Sequence, residues 1–474
     1  MQFAEPGFSI VPMETSRTAQ VAPASRGPAL VSEIILCGLP VMMAVALTLR
    51  PDTLSDLGFQ LKLGQLMAES GTPYLQEQFA VSHLGEPIVP SAWLAELFYH
   101  IVNQAGGWLA LRALDIVVWL SALLVAALPA WKRGERPMAV TMALAIGFAV
   151  ALPTANIRPQ NFAALAFSVM LLLLQEVRTG RRSVLLGAPL FVLWQNLHPS
   201  ITLAAAVTGT VAVLYRATGR DPWPSAALCL IAIASTFATP AGYSIVEVAA
   251  YNTKASLLAG ATEWLPLWHP INRPFLLATL LSVSVVAIIA VKYRPPLVEV
   301  VPALVTFVFT LLAARFILFY AIAIIPVLAR LPVGQSSTFR HPRLGFICAA
   351  PLAIVLMVAP PRLVEMLPAL PQLAPGSVIY ADPIYGGELI QRGFKVAQDG
   401  RFYLYDEAEL NRFQRTGTDP ATLAETNAAY KPSAYVLMRL RSPALVRALE
   451  VNPHWREDYS DRTKVVFTRR NTGQ

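Results

Sequence analysis

The chain reads as an α-helical polytopic membrane protein with about eleven spans and a small C-terminal α/β domain. Three observations predict this. Of its residues, 55% are hydrophobic and only 14% charged, a balance hard to reconcile with a soluble chain of this length. Apolar stretches recur at the length that a hydrocarbon core about 30 Å thick demands, roughly 20 residues per helix. Between them, Lys and Arg gather in short loops that alternate along the chain, as the positive-inside rule requires.

The first apolar stretch, near 29–49, follows a polar tail (1–28) carrying Arg17 and Arg26 and shows no small-residue cleavage pattern. It is expected to stay as the first span, with the tail in the cytoplasm. Later spans are expected near 108–130, 138–156, 160–176, 183–197, 200–215, 224–240, 274–291, 297–314, 316–330 and 344–360. Lys132, Arg133 and Arg136 follow the second, Arg178, Arg181 and Arg182 the fourth, Arg216 and Arg220 the sixth, Lys292 and Arg294 the eighth, and Arg330, Arg340 and Arg343 the tenth. Each cluster falls on the side of the tail, so the opposite face receives loop 51–107, loop 242–273 and everything after Pro360.

Beyond Pro360, Pro and polar residues enter and short apolar runs alternate with helical patterns. Residues 377–380, 395–397, 434–437 and 465–468 read as strands, and 406–415, 420–429 and 443–450 as helices. Residues 361–474 are therefore expected to form a periplasmic α/β domain beside a transmembrane domain over 29–360.

The net charge of +8 belongs to the basic loops, and no basic run interleaved with aromatics marks a nucleic-acid partner. Cys37, Cys229 and Cys348 lie in apolar stretches without metal-ligand spacing and read as packing residues. No internal repeat suggests the inverted halves of a secondary transporter.

Loop 51–107 is the segment richest in chemistry. Thr53 or Ser55 is placed to cap a helix over 57–69, with Asp56 in its first turn and Gln60 one turn later on the same face. The helix dipole favours an acid there whatever else it does. A second amphipathic stretch, 93–102, carries Glu96 and His100 four residues apart. On sequence alone it is an interfacial helix with Trp93 and Tyr99 at headgroup level and a wet polar face. Further along, Arg158, Asn196, His198, Glu263 and Arg315 fall near the outer ends of spans, where ionisable groups are costly unless paired or facing a wet cavity. Their shared side predicts a single outward-facing site. Glu33, Asp115 and Glu299 are weaker candidates, because Glu33 and Glu299 lie near cytoplasmic ends and Asp115 stands one turn from Arg112.

Asp56-Leu-Gly-Phe-Gln-x3-Gly64, then Gly71-Thr-Pro, Gly85-Glu-Pro and Trp93-Leu-Ala-Glu96-Leu, resemble the first outer loop of bacterial GT-C-type polytopic membrane proteins. These are relatives of polyprenyl-phosphate-sugar-dependent glycosyltransferases and of oligosaccharyltransferase catalytic subunits. Arg158-Pro-Gln, Trp194-x-Asn-Leu-His198, Thr239-Pro-x-Gly242, Glu263-Trp, Arg315-Phe, Gly386-Gly387 and Asp399-Gly-Arg401 are similar to later motifs of one bacterial branch. The resemblance implies a GT-C fold in the inner (plasma) membrane, with a cavity facing the periplasm. It implies an enzyme of hexosyl or pentosyl transfer from a polyprenyl-phosphate-linked sugar donor to a glycan, lipid or protein acceptor. Asp56 would be the catalytic residue, as general base or as ligand of a divalent metal. Arg158 and Arg315 would take the lipid phosphate, His198 and Glu263 would line the sugar site, and Gln60 and Glu96 would join in substrate binding.

The chain departs from that branch where it has Gln60 in place of a His and Ser91-Ala92 in place of His-Glu. Asp56 has no adjacent acid, only Asp52 one turn earlier, and a lone carboxylate suits a hard divalent cation poorly. Two rival functions stand beside the transferase: a non-catalytic envelope-polysaccharide assembly protein, and a transporter or flippase for a lipid-linked solute.

Overall fold

The structure, a computed structural model, describes residues 26–176, 181–334, 363–364, 366–370 and 372–470, with no side-chain placement for 26–37, 176, 181 and 364. Residues 1–25 of the polar tail, the side chains of Glu33 and Cys37, Cys348 and the span expected near 344–360 fall outside what is described. The fold is mostly helical with a small C-terminal sheet.

The first part consists of α1 (Arg26–Leu49), α2 (Leu57–Ser70), α3 (Trp93–Lys132), α4 (Pro137–Ala151), α5 (Gln160–Glu176), α6 (Arg181–Leu197), α7 (Thr202–Ala217), α8 (Trp223–Ser235), α9 (Ser244–Leu258), α10 (Arg273–Tyr293), α11 (Leu297–Leu312), α12 (Ile317–Ala323) and α13 (Ile325–Leu328). Three helical segments are long and apolar enough to cross a membrane: Trp93–Lys132, Pro137–Thr154 and Pro270–Tyr293. The other apolar helices are shorter, at 10–17 residues. They coincide with the stretches expected as spans, and Pro-containing breaks shorten several of them, as between α12 and α13. Segment 242–273, expected as a loop, instead contains α9.

α3 is bent where Gly106 and Gly107 leave helical geometry, Gly107 with φ 58, a region that favours glycine. The bend separates an amphipathic arm, Trp93 to Ala105, from the apolar rod that follows. Along that rod Arg112 lies near one end and Arg133 just beyond the other, roughly 30 Å apart at about 1.5 Å per residue.

The two ends carry opposite chemistry. At one, Glu299 accepts from Arg133 (2.8 Å) and from Arg330 (2.8 and 2.9 Å), and Arg136 donates to the carbonyls of Pro332 and Gly334. Two of the basic loops, those after α3 and after α13, thus meet there. At the other, Asp52 pairs with Arg112 (2.6 Å) and Arg50 (2.8 Å), while Asp115 pairs with Arg50 (3.1 Å) and accepts from Asn161 (2.7 Å). Arg112 lies 4.0 Å from Asp115, so the pairing expected one turn apart is the minor contact. Burying these charges is tolerable only because each is matched.

The C-terminal part contains β5 (Val378–Ala381), α14 (Pro383–Gln391), β6 (Lys395–Val396), α15 (Glu407–Arg415), α16 (Thr422–Tyr430), β7 (Ala434–Met438), α17 (Pro443–Glu450), β8 (Trp455–Ser460) and β9 (Lys464–Arg469). Short pairs β1 (Asp52–Thr53), β2 (Leu75–Gln76), β3 (Pro87–Ile88) and β4 (Leu363–Val364) precede it. The five-stranded sheet runs β6-β5-β7-β9-β8, with β5 parallel to β6 and β7, and β9 antiparallel to both its neighbours. α14 and β8 were not foreseen from the sequence. β8 is exposed at all but its first residue, so it lacks the alternation that marks a half-buried strand.

Alternation along the central strands sorts two cores. Ile379, Ala381, Val436 and Val466 pack with Phe59, Leu63 and Met67 of α2, whereas Tyr380, Tyr435, Leu437 and Phe467 pack with Ala255 and Ala259 of the α9 segment. The domain is thereby wedged between the first loop and α9. β1 pairs in parallel with β4, and Ala80 bridges to Val396 at the sheet edge.

Candidate functional site

Breaks in the helices supply the polar side chains of the acid-loop end. Pro159 disfavours helix at Arg158, and α5 begins only at Gln160. α6 stops at Leu197, before His198-Pro199. Glu263 lies in a 3₁₀ turn over Thr262–Trp264, and Arg315 in another over Ala314–Phe316. The Ala314 N–H donates to the Leu265 carbonyl at 3.1 Å, which fixes the two turns side by side.

Asp56 occupies the cap position of α2 rather than its first turn, and it makes no capping hydrogen bond. Thr53 and Ser55 do not cap either; their hydroxyls face each other at 3.3 Å. The Asp56 carboxylate instead meets Arg158 Nη2 at 2.8 Å. Arg158 Nη1 donates to Glu263 Oε2 at 2.5 Å, and the other Glu263 oxygen is 3.8 Å from Arg315. An alternating acid–base line, Asp56, Arg158, Glu263, Arg315, results. The Arg315 guanidinium sits 4.0 Å over the Trp264 ring, a favourable cation–π stack.

This line forms part of a cavity of about 600 Å³, lined by Asp56, Gln60, Glu96, Arg158, His198, Glu263 and Arg315 together with residues of α9 and the C-terminal domain. Every residue singled out as catalytic or substrate-binding thus lies on one hollow. Asn196 stands outside it, accepting from Trp93 Nε1 at 2.7 Å and donating to the Ala238 carbonyl. Asp115 and Glu299 belong to the pairings at the two bundle ends.

The arm of α3 differs from the interfacial helix expected. Glu96 and Tyr99 are buried, because the arm lies against α2: a Cβ on Gly64 would come within 2.2 Å of the Glu96 carbonyl. Of its polar residues, Glu96 lines the cavity.

Electrostatics follow from burial in a charged hollow. Burial pushes the Asp56 carboxyl above its ordinary range against the pull of Arg158. Burial also opposes ionisation of Glu263, but Arg158 and Arg315 hold it below the usual carboxylate value. Burial, helped by Arg315 and Arg158, drives His198 down to about 3, so its imidazole is neutral. Its Nδ1 faces Ser200 Oγ at 2.9 Å, and that oxygen also accepts from Trp194 Nε1. In the arm before the bend, burial raises Glu96 to about 7.

No family model matches the chain, and no curated protein matches it in sequence. The chemistry must therefore be read from the hollow itself.

Among the described residues no group of three or more His, Cys, Asp or Glu is placed to hold a metal. The acids present fit a divalent cation poorly on their own terms. Asp56 is tied to one guanidinium and Glu263 to two, so a cation would have to displace charges already matched.

Sequence reasoning left open whether the C-terminal domain covers the cavity and assigned none of its residues to the site. Pro383, Ile384, Gly400, Arg401, Phe402, Tyr403 and Arg441 all line the cavity. Arg401 is buried between Asp399 (2.7 Å) and Glu77 of the first loop (2.6 Å). The Asp399-Gly-Arg401 motif was visible in the sequence, but its role in clamping the domain to loop 51–107 depends on a contact across more than three hundred residues.

Proposed function

We propose that the chain is a GT-C-type glycosyltransferase of a bacterial inner membrane. It transfers a hexosyl or pentosyl group from a polyprenyl-phosphate-linked donor to a periplasmic glycan, lipid or protein. In this reading the bundle crosses the bilayer about eleven times, with the basic loops in the cytoplasm and the C-terminal domain on the periplasmic face.

One observation carries the reading: Asp56, Arg158, Glu263 and Arg315 stand in a single ion-paired line on a cavity at the end opposite the basic loops. Transfer from a phosphate requires cations where the leaving oxygen gathers charge, and fixed guanidinium groups in a partly dry hollow do this without reorganisation. Arg158 and Arg315 take that place. Asp56 fixes the Arg158 fork and offers negative charge to the sugar carbon as its bond to phosphate lengthens. His198, neutral and beside the same cations, lines the sugar site.

A transporter would need polar residues that continue along the bundle axis between its two ends. The ionisable residues lining the cavity come from loops, helix ends and the α3 arm at the acid-loop end, which favours chemistry over passage.

The test is an Asp56→Ala variant expressed in place of the wild-type chain, with envelope lipids and polysaccharides compared by mass spectrometry. Loss of one modification, by about 100-fold or more as for removal of a preorganised electrostatic group, supports the reading. An unchanged product at normal protein level removes Asp56 from the mechanism.

A further inference from the structure

Three carboxylates line the cavity, and two of them are already engaged. Asp56 is held through Oδ2 by Arg158 at 2.8 Å. Glu263 is shared by Arg158 and Arg315. Glu96 differs: it is 8% exposed, lines the hollow and has no hydrogen bond or ion pair among the described residues. Gln60, 7% exposed and on the same cavity, has an Oε1 that is buried without a partner. The buried Gln60 oxygen carries a desolvation cost that a donor from outside would relieve, and the Glu96 carboxylate lies on the same cavity, open to an incoming group.

We propose that Glu96 and Gln60 form the acceptor subsite, where Glu96 takes the proton of the attacking hydroxyl and Gln60 Oε1 receives the hydrogen bond of a second hydroxyl on the same acceptor. The inference rests on the transferase reading and deepens it. It moves to Glu96 the proton removal that was one of the two roles expected of Asp56, and leaves charge stabilisation to Asp56. It also defines the acceptor chemically, as a group that presents two hydroxyls.

The step balances. The acceptor oxygen forms a bond to the anomeric carbon as the bond from that carbon to the phosphate oxygen breaks. The electron pair leaves with the phosphate, whose charge meets Arg158 and Arg315, and the hydroxyl proton passes to the Glu96 carboxylate. Burial has already brought that carboxyl to about 7, close to the value that suits a base at neutral pH. The charged and titratable groups facing it are Arg401, which draws it down, and Tyr403, both from the C-terminal domain.

The experiment uses the full chain in the parent organism lacking its chromosomal copy, complemented with wild type, Glu96→Gln, Glu96→Asp or Asp56→Asn. The polyprenyl-phosphate-linked sugar pool and the envelope products are measured by mass spectrometry. In parallel, each detergent-solubilised variant is titrated with undecaprenyl phosphate. The expected result is a loss of product of 100-fold or more in Glu96→Gln, accumulation of the lipid-linked sugar, undiminished undecaprenyl phosphate binding and partial recovery in Glu96→Asp. Retained binding shows that the variant is folded and its phosphate site intact. Wild-type product levels in Glu96→Gln would overturn the Glu96 assignment while leaving the transferase reading standing. No difference between the deletion strain and wild type in either pool would overturn both. A Glu96→Gln variant that loses product and undecaprenyl phosphate binding together would place Glu96 in the framework of the site, against the proposal.

Discussion

Gly58 and Gly387 bring two backbones into direct contact: a Cβ on Gly58 would lie 2.2 Å from the Gly387 carbonyl oxygen, and one on Gly387 would lie 1.8 Å from the Ser55 carbonyl oxygen. The first-loop helix α2 and the domain helix α14 can meet this closely only because neither carries a side chain there. Gly387→Ala should therefore force the domain off the loop, costing roughly 1–3 kcal/mol or more. Thermal unfolding in detergent measures it, and Gly376→Ala, where nothing stands within 4 Å, gives the contrast of a left-handed glycine (φ 80) that is not pressed on.

Arg158 holds both Asp56 and Glu263 through separate nitrogens. A lysine keeps the charge but cannot bridge two carboxylates as a planar fork does. Arg158→Lys should lower product formation by about 10-fold or more while the protein stays folded. Arg158→Ala, which strands two acids, should also lower the melting temperature. Product mass spectrometry and thermal unfolding separate the two effects.

If Glu96 takes the proton, its ionised form is the active one. Product formation in spheroplasts should hold at high pH and fall about tenfold per unit once pH drops below about 7. Glu96→Asp should move that limb, and a limb that stays in place in this variant belongs to another group.

His83 joins the first loop to the C-terminal domain, with Nδ1 2.9 Å from Glu86 and Nε2 3.0 Å from Glu409 of α15. Its ring also packs edge-on against Tyr405. Two carboxylates on the two ring nitrogens call for the doubly protonated imidazole. Burial opposes that charge, and the two glutamates outweigh it, raising the pKa. A raised folded value means that the stabilisation is complete below about 6.5, the unfolded value, and is lost as pH rises through the folded one. Melting temperature should therefore decline over that window in wild type and decline less in His83→Gln.

Sidedness has its own test. Val451 is exposed on the C-terminal domain and Arg220 in the loop after α7. With the native cysteines replaced, Val451→Cys should react with a membrane-impermeant maleimide in intact spheroplasts, and Arg220→Cys only after lysis. The reverse pattern would turn the bundle over.

Much of the helical framework was legible because apolar length and basic loops obey physical rules that act locally. α5 begins and ends where hydropathy places it, and α17 matches its predicted bounds. Arg158, His198, Glu263 and Arg315 could be chosen individually because ionisable groups at span ends are costly and so need a reason. The line that joins Arg158, Glu263 and Arg315 to Asp56 could not be read, since it depends on how turns far apart in sequence abut. The burial of Glu96 was hidden for the same kind of reason. Its i, i+4 pattern with His100 fits a wet interfacial face equally well, and only the close approach at Gly64 decides between them. α9 lacked the apolar length of a span and lay in a segment that charge alternation had already assigned as loop.

The pairing of Asp52 with Leu363 and of Thr53 with Val364 has a consequence for biosynthesis. A nascent chain that has emerged only as far as α13 has its acids and guanidinium groups in place but lacks the strand and the Gly400–Tyr403 wall that enclose them. The hollow is finished by the last quarter of the polypeptide, so a ribosome must nearly complete its work before the cavity has all its walls.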